Sequence, residues 1–294
     1  RRCAVSNRGL GLPPMRRTEG AMLCPRCSKL ISVSARECPF CGAHRPGLYG
    51  FGPALSKAFG GRLDPVSLIP IICIAMYLLA LALDLRAALD FRNTFFGLLS
   101  PSSRALAVLG ATSSYDLAMG RWWTLLTAIY LHGGLLHIIF NVLWIRSLGP
   151  EVQNQYGPAR YFVIWTIAGA AGFFLSDLLP GHRSIGASGS IFGLLAALIV
   201  YGRTVGAHTM TRQIWQWAIV LGIMGFLLPG VDNLAHIGGF AGGWITAFAL
   251  RRGIGRRDGR WITLFALLLL LLTGFGFALN LTHMVSRLAA LSVP

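Results

Sequence analysis

The sequence predicts an all-α polytopic membrane protein with a small cysteine-rich module near its N-terminus. Of the 294 residues, 54% are hydrophobic and only 12% are charged, whereas soluble domains are about one quarter charged. Long apolar runs recur from residue 66 onward, and two CxxC pairs precede the first of them. The formal net charge of +16 does not identify a partner, because basic cytoplasmic loops and attraction to anionic lipid produce the same sign as nucleic-acid binding.

Seven segments are candidate membrane spans, since a helix needs about 20 mainly apolar residues to cross a bilayer. The first, at 66–85, and the last, at 261–280, are the most apolar. Weaker or interrupted runs follow at 131–148, 159–177, 188–202, 213–229 and 233–250. The sequence therefore predicts a six-helix bundle over residues 66–250. One extra transmembrane helix with a short tail completes the chain at 261–294.

Basic residues are distributed unevenly between the loops. The chain has 11 arginines and lysines before residue 66 and five in the loop 251–260, whereas the loop 178–187 contains only Arg183. Because cytoplasmic loops are enriched in basic residues, we expect a multi-pass protein of the cytoplasmic (plasma) membrane, with its N-terminus in the cytoplasm and its C-terminus outside. The loop 251–260 is then a basic cytoplasmic loop. Residues 86–121 alternate between apolar and polar, which favours an outward-facing loop with interfacial helices.

Two cysteine pairs lie in the N-terminal segment CPRCSKLISVSARECPFCG. Ten residues separate its two CPxC turns, a spacing typical of a zinc ribbon, in which four thiolates complete a tetrahedral Zn²⁺ shell. The predicted ligands are Cys24, Cys27, Cys38 and Cys41. We therefore predict a structural zinc module at 21–45 that is unfolded without its metal, between a flexible tail at 1–20 and a linker at 46–65. Iron and two disulfides are the alternatives, and the reducing side of the membrane disfavours disulfides.

The sequence leaves the role of this zinc module open. Its arginine-rich flanks suit anionic lipid or nucleic acid, but such ribbons also dock other proteins or are purely structural. We expect contact with membrane lipid and no specific nucleic acid, and docking of a protein partner stays an open role.

Four polar side chains within the apolar spans stand out. Polar groups at membrane depth are costly and persist where they face the interior of the bundle or a water-filled cavity. His137 and Asn141 are four residues apart and so share one face of a helix. Ser188 begins one span and His236 lies near the start of another. With the orientation above, these side chains lie toward the outer side of the membrane.

Glycines recur beside these residues at helical spacing: Gly189 with Gly193, Gly238 with Gly242, and Gly239 with Gly243. Such pairs allow helix backbones to approach closely in membranes. A serine hydroxyl can meet an imidazole from another helix only if the two helices nearly touch. The glycine spacing therefore favours direct contact between Ser188 and His236.

A serine beside a histidine indicates acyl transfer, because the imidazole accepts the hydroxyl proton and so activates a weak nucleophile. The oxyanion that develops also needs hydrogen-bond donors. Asn141, His137 and the backbone N–H of Ser188 are the candidates, helped by the dipole at the start of the helix. Apart from Asp84 and Asp177 at the ends of two spans, no Asp or Glu lies within the spans to orient His236, which favours a catalytic dyad over a triad. This chemistry requires no cofactor.

Three short motifs carry a resemblance to a known family. The segments GASG at 186–189, HIIFN at 137–141 and AHIGG at 235–239 together resemble the GxSG, HxxxN and AHxGG motifs of rhomboid intramembrane serine proteases. The resemblance covers about residues 66–250, and the seventh span is similar to that of members with six plus one spans. It implies Ser188 as nucleophile, His236 as general base, and His137 and Asn141 as oxyanion donors.

The resemblance also implies supporting residues and a class of substrate. Gly186 and Gly189 belong to the GxSG motif, and Phe192 stands where a tyrosine often stacks on the catalytic histidine. The segment RWWTLLT at 121–127 resembles the WR motif of the first loop, with Thr124 at the position of the usual arginine. The implied substrates are transmembrane proteins, cut near the outer face of the membrane at small residues in helices that unwind easily.

Two other functions compete with a protease. A non-proteolytic rhomboid-like protein that binds transmembrane clients lacks the serine or the histidine, and both are present here. A transporter with a regulatory zinc module would carry charged residues near the midplane of the membrane or a repeated half, and the sequence shows neither.

Overall fold

A computed structural model describes residues 19–24, 29–40, 42, 64–88, 99–181 and 183–291, with the backbone alone for 283–291. The chain divides into two compact units, residues 1–67 and 68–294. Most of the predicted tail at 1–20 and linker at 46–65 lies outside the described residues, so these two expectations stay predictions.

The N-terminal unit contains a small antiparallel hairpin. Strands β1 (Ala21–Leu23) and β2 (Leu30–Ser32) pair with Met22 opposite Ile31. The inward side chains of the hairpin are buried together with two of the predicted zinc ligands, Cys24 and Cys38. Cys27 and Cys41 lie outside the described residues, and the described part contains no group of three metal-binding side chains. The zinc module therefore stays a prediction.

Long helices occupy all seven predicted positions in the second unit. They are α1 (Pro65–Leu83), α2 (Leu135–Tyr156), α3 (Pro158–Asp177), α4 (Ser188–Val205), α5 (His208–Leu227), α6 (Asn233–Leu250) and α7 (Arg260–Leu291). Four of them, α1, α3, α4 and α7, are long and apolar enough to cross a membrane, and α2 is a fifth candidate together with the turns before it. A polytopic helical membrane protein is confirmed, whereas the count of six plus one spans stays a prediction.

Several helix boundaries differ from the sequence prediction; α2, for example, ends at Tyr156, eight residues past the predicted span. The run at 131–148 was predicted as one span, but the structure has a 93° bend between the turns Thr124–Tyr130 and helix α2. Gly133 and Gly134 lie at this break, so His132 is outside the helix that carries His137. Helix α5 begins at His208, five residues before the predicted span. Polar residues at 208–212 lower the local hydropathy, which hides the start of α5 from a search for apolar runs.

Helix α4 is the centre of the bundle. Every residue from Gly189 to Val200 is buried, while α7 exposes a row of leucines such as Leu268 and Leu271. Because lipid solvates apolar side chains as well as a protein core does, the exposed leucines are suited to the membrane. A central α4 places its first residue, Ser188, inside the protein.

The connection between α1 and α2 is described over residues 84–88 and 99–134 and contains short helices at Leu85–Ala88, Ser103–Leu109, Ser114–Ala118 and Thr124–Thr127. Thr112 pairs with Ser184 through two backbone hydrogen bonds of 3.1 and 2.9 Å. We call residues 105–131 of this connection the loop segment. Its pairing fixes it to the loop that leads into Ser188.

Candidate active site

Ser188 and His236 are in hydrogen-bonding contact. The Ser188 Oγ atom lies 2.9 Å from Nε2 of His236. Ser188 is the first residue of α4, and His236 lies in the first turn of α6, where it is 8% exposed. The structure thus brings together two side chains that are 48 positions apart in the sequence.

Glycine contacts between helices α4 and α6 make this approach possible. A Cβ atom added at Gly239 would lie 2.6 Å from the carbonyl carbon of Gly189, and one at Gly243 would overlap Gly193. Helix α6 is equally close to α3, where a Cβ at Gly238 would meet the Ala171 carbonyl oxygen at 2.7 Å. Backbone against backbone is the closest packing that two helices can reach, and the predicted glycine pairs provide it.

Phe192 holds the plane of the His236 ring. The two rings are stacked with centroids 4.4 Å apart and 20° between their planes. Phe192 lies one turn after Ser188 on the same helix face. The neighbouring Ser190 points elsewhere, since its hydroxyl donates to the Trp165 carbonyl of α3 at 2.8 Å. Only one of the two serines therefore reaches the histidine.

His137 lies against the loop that leads into Ser188, and the hydrogen bond to its ring fixes which nitrogen carries the proton. Its Nδ1 accepts a hydrogen bond of 3.3 Å from the Gly133 backbone N–H, so a neutral ring carries its proton on Nε2. A Cβ atom at Gly186 would lie 2.7 Å from this Nε2. Gly186 also has φ +120°, which excludes other residues from this position. His137 therefore directs an N–H donor at the loop two residues before Ser188.

Asn141 lies one turn after His137 and is buried. Its Nδ2 group donates to the His137 carbonyl oxygen at 2.8 Å, which leaves one amide hydrogen for another acceptor. No described side chain caps the N-terminus of α4, so the first N–H groups of that helix are also open to a ligand. The three predicted sources of oxyanion donors thus lie on the elements that surround Ser188.

Sequence analysis missed two acidic groups near this site. Asp232 precedes α6 and caps it, accepting a hydrogen bond from Ala235 N at 2.9 Å, while its other oxygen accepts from the hydroxyls of Ser176 and Ser184. Among the described residues, none forms a hydrogen bond with Nδ1 of His236. The pattern DNLA before an apolar run is a signal for a helix cap, and it identifies this role of Asp232.

The second acidic group holds the loop segment. Asp177, at the end of α3, accepts a hydrogen bond from Thr112, and the Thr124 hydroxyl lies 3.1 Å from that of Thr112. Thr124 is fully buried. Thr124 stands where the resemblance implies an arginine, and it anchors the loop segment through its hydrogen bond with Thr112.

Fold and site together define a helical membrane protein that holds a serine against a histidine between two closely packed helices. Residues 119–253 match the rhomboid domain. This range contains α2 to α6 and therefore Ser188, His236, His137 and Asn141.

The chain is also similar to curated proteins with rhomboid names. The chain is 36% identical over 184 residues to the Rhomboid protease GluP of Bacillus subtilis, covering 60% of this chain and 35% of that protein. RHOMBOID-like protein 4 of Arabidopsis thaliana is 36% identical over 174 residues, covering 57% and 44%. The Putative rhomboid protease YdcA of Bacillus subtilis is 28% identical over 162 residues, covering 52% and 80%. The chain thus spans less than half the length of the first two relatives. The chain is thus similar to rhomboid proteins over the residues that carry Ser188 and His236.

Proposed function

We propose that the chain is an intramembrane serine endopeptidase that cleaves transmembrane segments of other membrane proteins. The observation that carries this proposal is the 2.9 Å contact between Ser188 Oγ and His236 Nε2. The rhomboid domain match at 119–253 and the similarity to proteins named as rhomboid proteases add to it. A pure client-binding protein would have no use for this contact.

The geometry suits a two-step acyl transfer. His236 Nε2 takes the Ser188 proton as Oγ attacks the carbonyl carbon of the scissile bond, and the carbonyl oxygen becomes an oxyanion. His236 then gives the proton to the leaving amine, which breaks the C–N bond and leaves an ester on Ser188. In the second step His236 takes a proton from water, whose oxygen attacks the ester, and the same proton returns to Ser188 Oγ as the acid leaves. Phe192 keeps the imidazole in one plane throughout.

We expect the variant His137→Ala to lower kcat by about 10²–10³, since it removes one oxyanion donor. The ground-state carbonyl oxygen carries less charge than the oxyanion, so KM changes much less. Cleavage of a single-span substrate in liposomes measures both constants. His208→Ala is the matched control, because His208 is exposed at the start of α5. If His137→Ala cleaved the substrate with the same kcat as His208→Ala, His137 would not be an oxyanion donor.

The membrane topology determines on which side of the membrane the substrate is cut. We propose six core spans and a seventh at α7, with the N-terminus in the cytoplasm, so that the N-terminal end of α4 opens toward the outer side. The substrates are then transmembrane helices that unwind near the outer face, where water for hydrolysis is present. The resemblance to rhomboid proteases implies small residues at the cleaved bond.

The experiment that tests the function uses the full chain in liposomes with a labelled single-span substrate. Binding and product formation are measured separately. We expect binding followed by cleavage into two fragments. Binding without any product would favour the alternative, a non-proteolytic protein that binds transmembrane clients. The absence of both would contradict each function for that substrate class.

We also propose that the N-terminal unit binds one structural Zn²⁺ ion through Cys24, Cys27, Cys38 and Cys41. The support is local: Cys24 and Cys38 are 1% and 2% exposed in one cluster. Cys24 N–H also bonds to the Lys29 carbonyl and Gly42 N–H to the Cys38 carbonyl, both at 2.9 Å. Four cysteine thiolates bind zinc tetrahedrally.

Metal analysis tests the zinc proposal without any activity assay. We expect about one zinc per chain in the purified protein and a loss of that zinc in Cys24→Ser. Cys73→Ala is the control, because Cys73 is a lone cysteine buried in α1. A zinc content that is the same in both variants would contradict the proposed ligand set.

A further inference from the structure

We infer that Asn280 on α7 is a positioning residue that holds the loop segment, and through it the loop before Ser188, in the geometry needed for turnover. This inference rests on the proposed function for its kinetic part. Helix α7 lies outside the matched rhomboid domain at 119–253. The contact therefore assigns a role in the reaction to a helix that carries none of the residues predicted for the site.

Asn280 is a buried amide on a mainly apolar helix. It is 2% exposed, and the two polar atoms of its side chain both bond to the loop segment. Its Oδ1 accepts from Trp123 Nε1 at 3.0 Å and from Arg121 Nη2 at 3.3 Å. Its Nδ2 donates to the Leu109 carbonyl at 3.2 Å and lies 3.4 Å from the Thr127 hydroxyl. One side chain thus joins both ends of this segment.

The residue one turn before Asn280 makes room for this contact. A Cβ atom at Gly276 would lie 3.0 Å from Trp123 Cβ and 3.2 Å from Thr127 Cγ2. Beside it, the Phe277 ring lies 6.1 Å from that of Tyr130. A buried polar group within a membrane-spanning helix is costly unless it is satisfied. Asn280 is satisfied entirely by the loop segment, which is why we place its function there.

A continuous set of hydrogen bonds leads from Asn280 to the site. Thr127 donates to the Gly110 carbonyl at 2.8 Å, and the next residue, Ala128, accepts from the Gly186 backbone N–H at 3.0 Å. Gly186 lies against His137 Nε2 and two residues before Ser188. A shift of the loop segment would therefore move the N–H donors relative to the serine.

The other end of α7 is also fixed to the core. Asp258, just before α7, accepts from the Ala159 backbone N–H at 2.8 Å and pairs with Arg160 at 3.0 Å. The loop into α7 adds a bond of 2.9 Å from Gly255 N–H to the Gln155 carbonyl. Helix α7 is therefore bonded to the core both just before its first residue, through Asp258, and near its other end, through Asn280.

The test compares Asn280→Ala with Thr273→Ala in the full chain. Thr273 is the matched control, because it is a buried polar residue of α7 whose hydroxyl donates within its own helix, to the Leu269 carbonyl at 2.8 Å. For Asn280→Ala we expect faster amide hydrogen exchange in residues 109–131 and 184–188. We also expect a kcat lowered by about 10-fold to 100-fold with KM little changed, because misplaced donors weaken binding of the transition state.

Asn280→Asp keeps the acceptor for Trp123 and Arg121 but removes the donor to Leu109. We expect it to restore slow exchange near Trp123 while the amides around Gly110 stay fast. A pure loss of folding would affect both regions alike, so this variant separates positioning from stability. Rates are normalised to the fraction of Ser188 that reacts with a serine-directed covalent inhibitor.

The measurements distinguish the positioning role of Asn280 from a purely structural role and from a failure of the proposed function. If Asn280→Ala matched Thr273→Ala in both exchange and kcat, the inference would be overturned. If exchange rose but kcat per reactive Ser188 did not fall, Asn280 would hold the segment without positioning the site, which also overturns it. If the unmodified chain cleaved nothing, the proposed function would fail. The exchange comparison would then still decide whether Asn280 holds the loop segment.

Discussion

Ser188→Ala is expected to lower the rate of substrate cleavage by a factor of about 10⁴ or more, because it removes the nucleophile. His236→Ala is expected to lower the cleavage rate by a similar factor, since Ser188 Oγ then lacks the base that contacts it. The two groups act as one unit across their 2.9 Å contact. The double variant is therefore expected to be no slower than either single variant.

Ser190→Ala is the control for this prediction. Ser190 is two residues from the nucleophile and equally small, but its hydroxyl bonds to Trp165 of α3. We expect its cleavage rate to stay within about threefold of the unmodified rate, because only a packing hydrogen bond is lost. Cleavage by Ser188→Ala at the rate of Ser190→Ala would refute the assignment of the nucleophile.

Gly239→Ala is the second variant with a large expected effect. The added methyl group would collide with the carbonyl group of Gly189 on α4, which is backbone and cannot rotate away. The helices must separate, and overpacking of this kind costs about 3 kcal/mol or more of the free energy of unfolding. The same separation pulls His236 from Ser188, so we also expect a loss of at least about 100-fold in kcat.

Gly274→Ala adds the same methyl group to an exposed site on α7, where nothing lies within 4 Å of the new atom. We expect no loss of cleavage and an equal or slightly higher stability, because alanine favours a helix. Thermal unfolding in detergent and cleavage in liposomes compare the two variants. A Gly239→Ala protein as stable and active as Gly274→Ala would contradict the close contact between α4 and α6.

The positions of the long helices could be predicted from the sequence alone. Hydrophobicity over about 20 residues is a local property, and membrane helices satisfy their backbone within the same segment. The break before α2 could not be predicted in this way, because the sequence stays apolar on both sides of Gly133 and Gly134. The bend there is decided by the packing of the loop segment against α3 and by its hydrogen bonds with the loop before Ser188.

Sequence patterns indicated the candidate site residues, but not Asp232 and Asn280, which hold the neighbouring segments in place. Ser188, His236, His137 and Asn141 are polar groups in apolar spans, and the structure places them around one helix end. Asp232 and Asn280 lie at the edge of a loop and near the end of a very apolar helix, where a single polar residue is unremarkable. Their partners are distant in sequence: Asn280 lies 157 positions from Trp123.

The sequence by itself determined which segments are helical and apolar, which polar residues they carry, and where glycines leave room for close packing. These are properties of neighbours along the chain, expressed by helical periodicity and by hydrophobicity. The tertiary structure alone decided that Ser188 Oγ lies 2.9 Å from His236 Nε2, that Asp232 accepts hydrogen bonds from Ser176 and Ser184, and that Asn280 of α7 contacts the loop segment. Such contacts join residues from separate helices, and their distances depend on how the whole bundle packs.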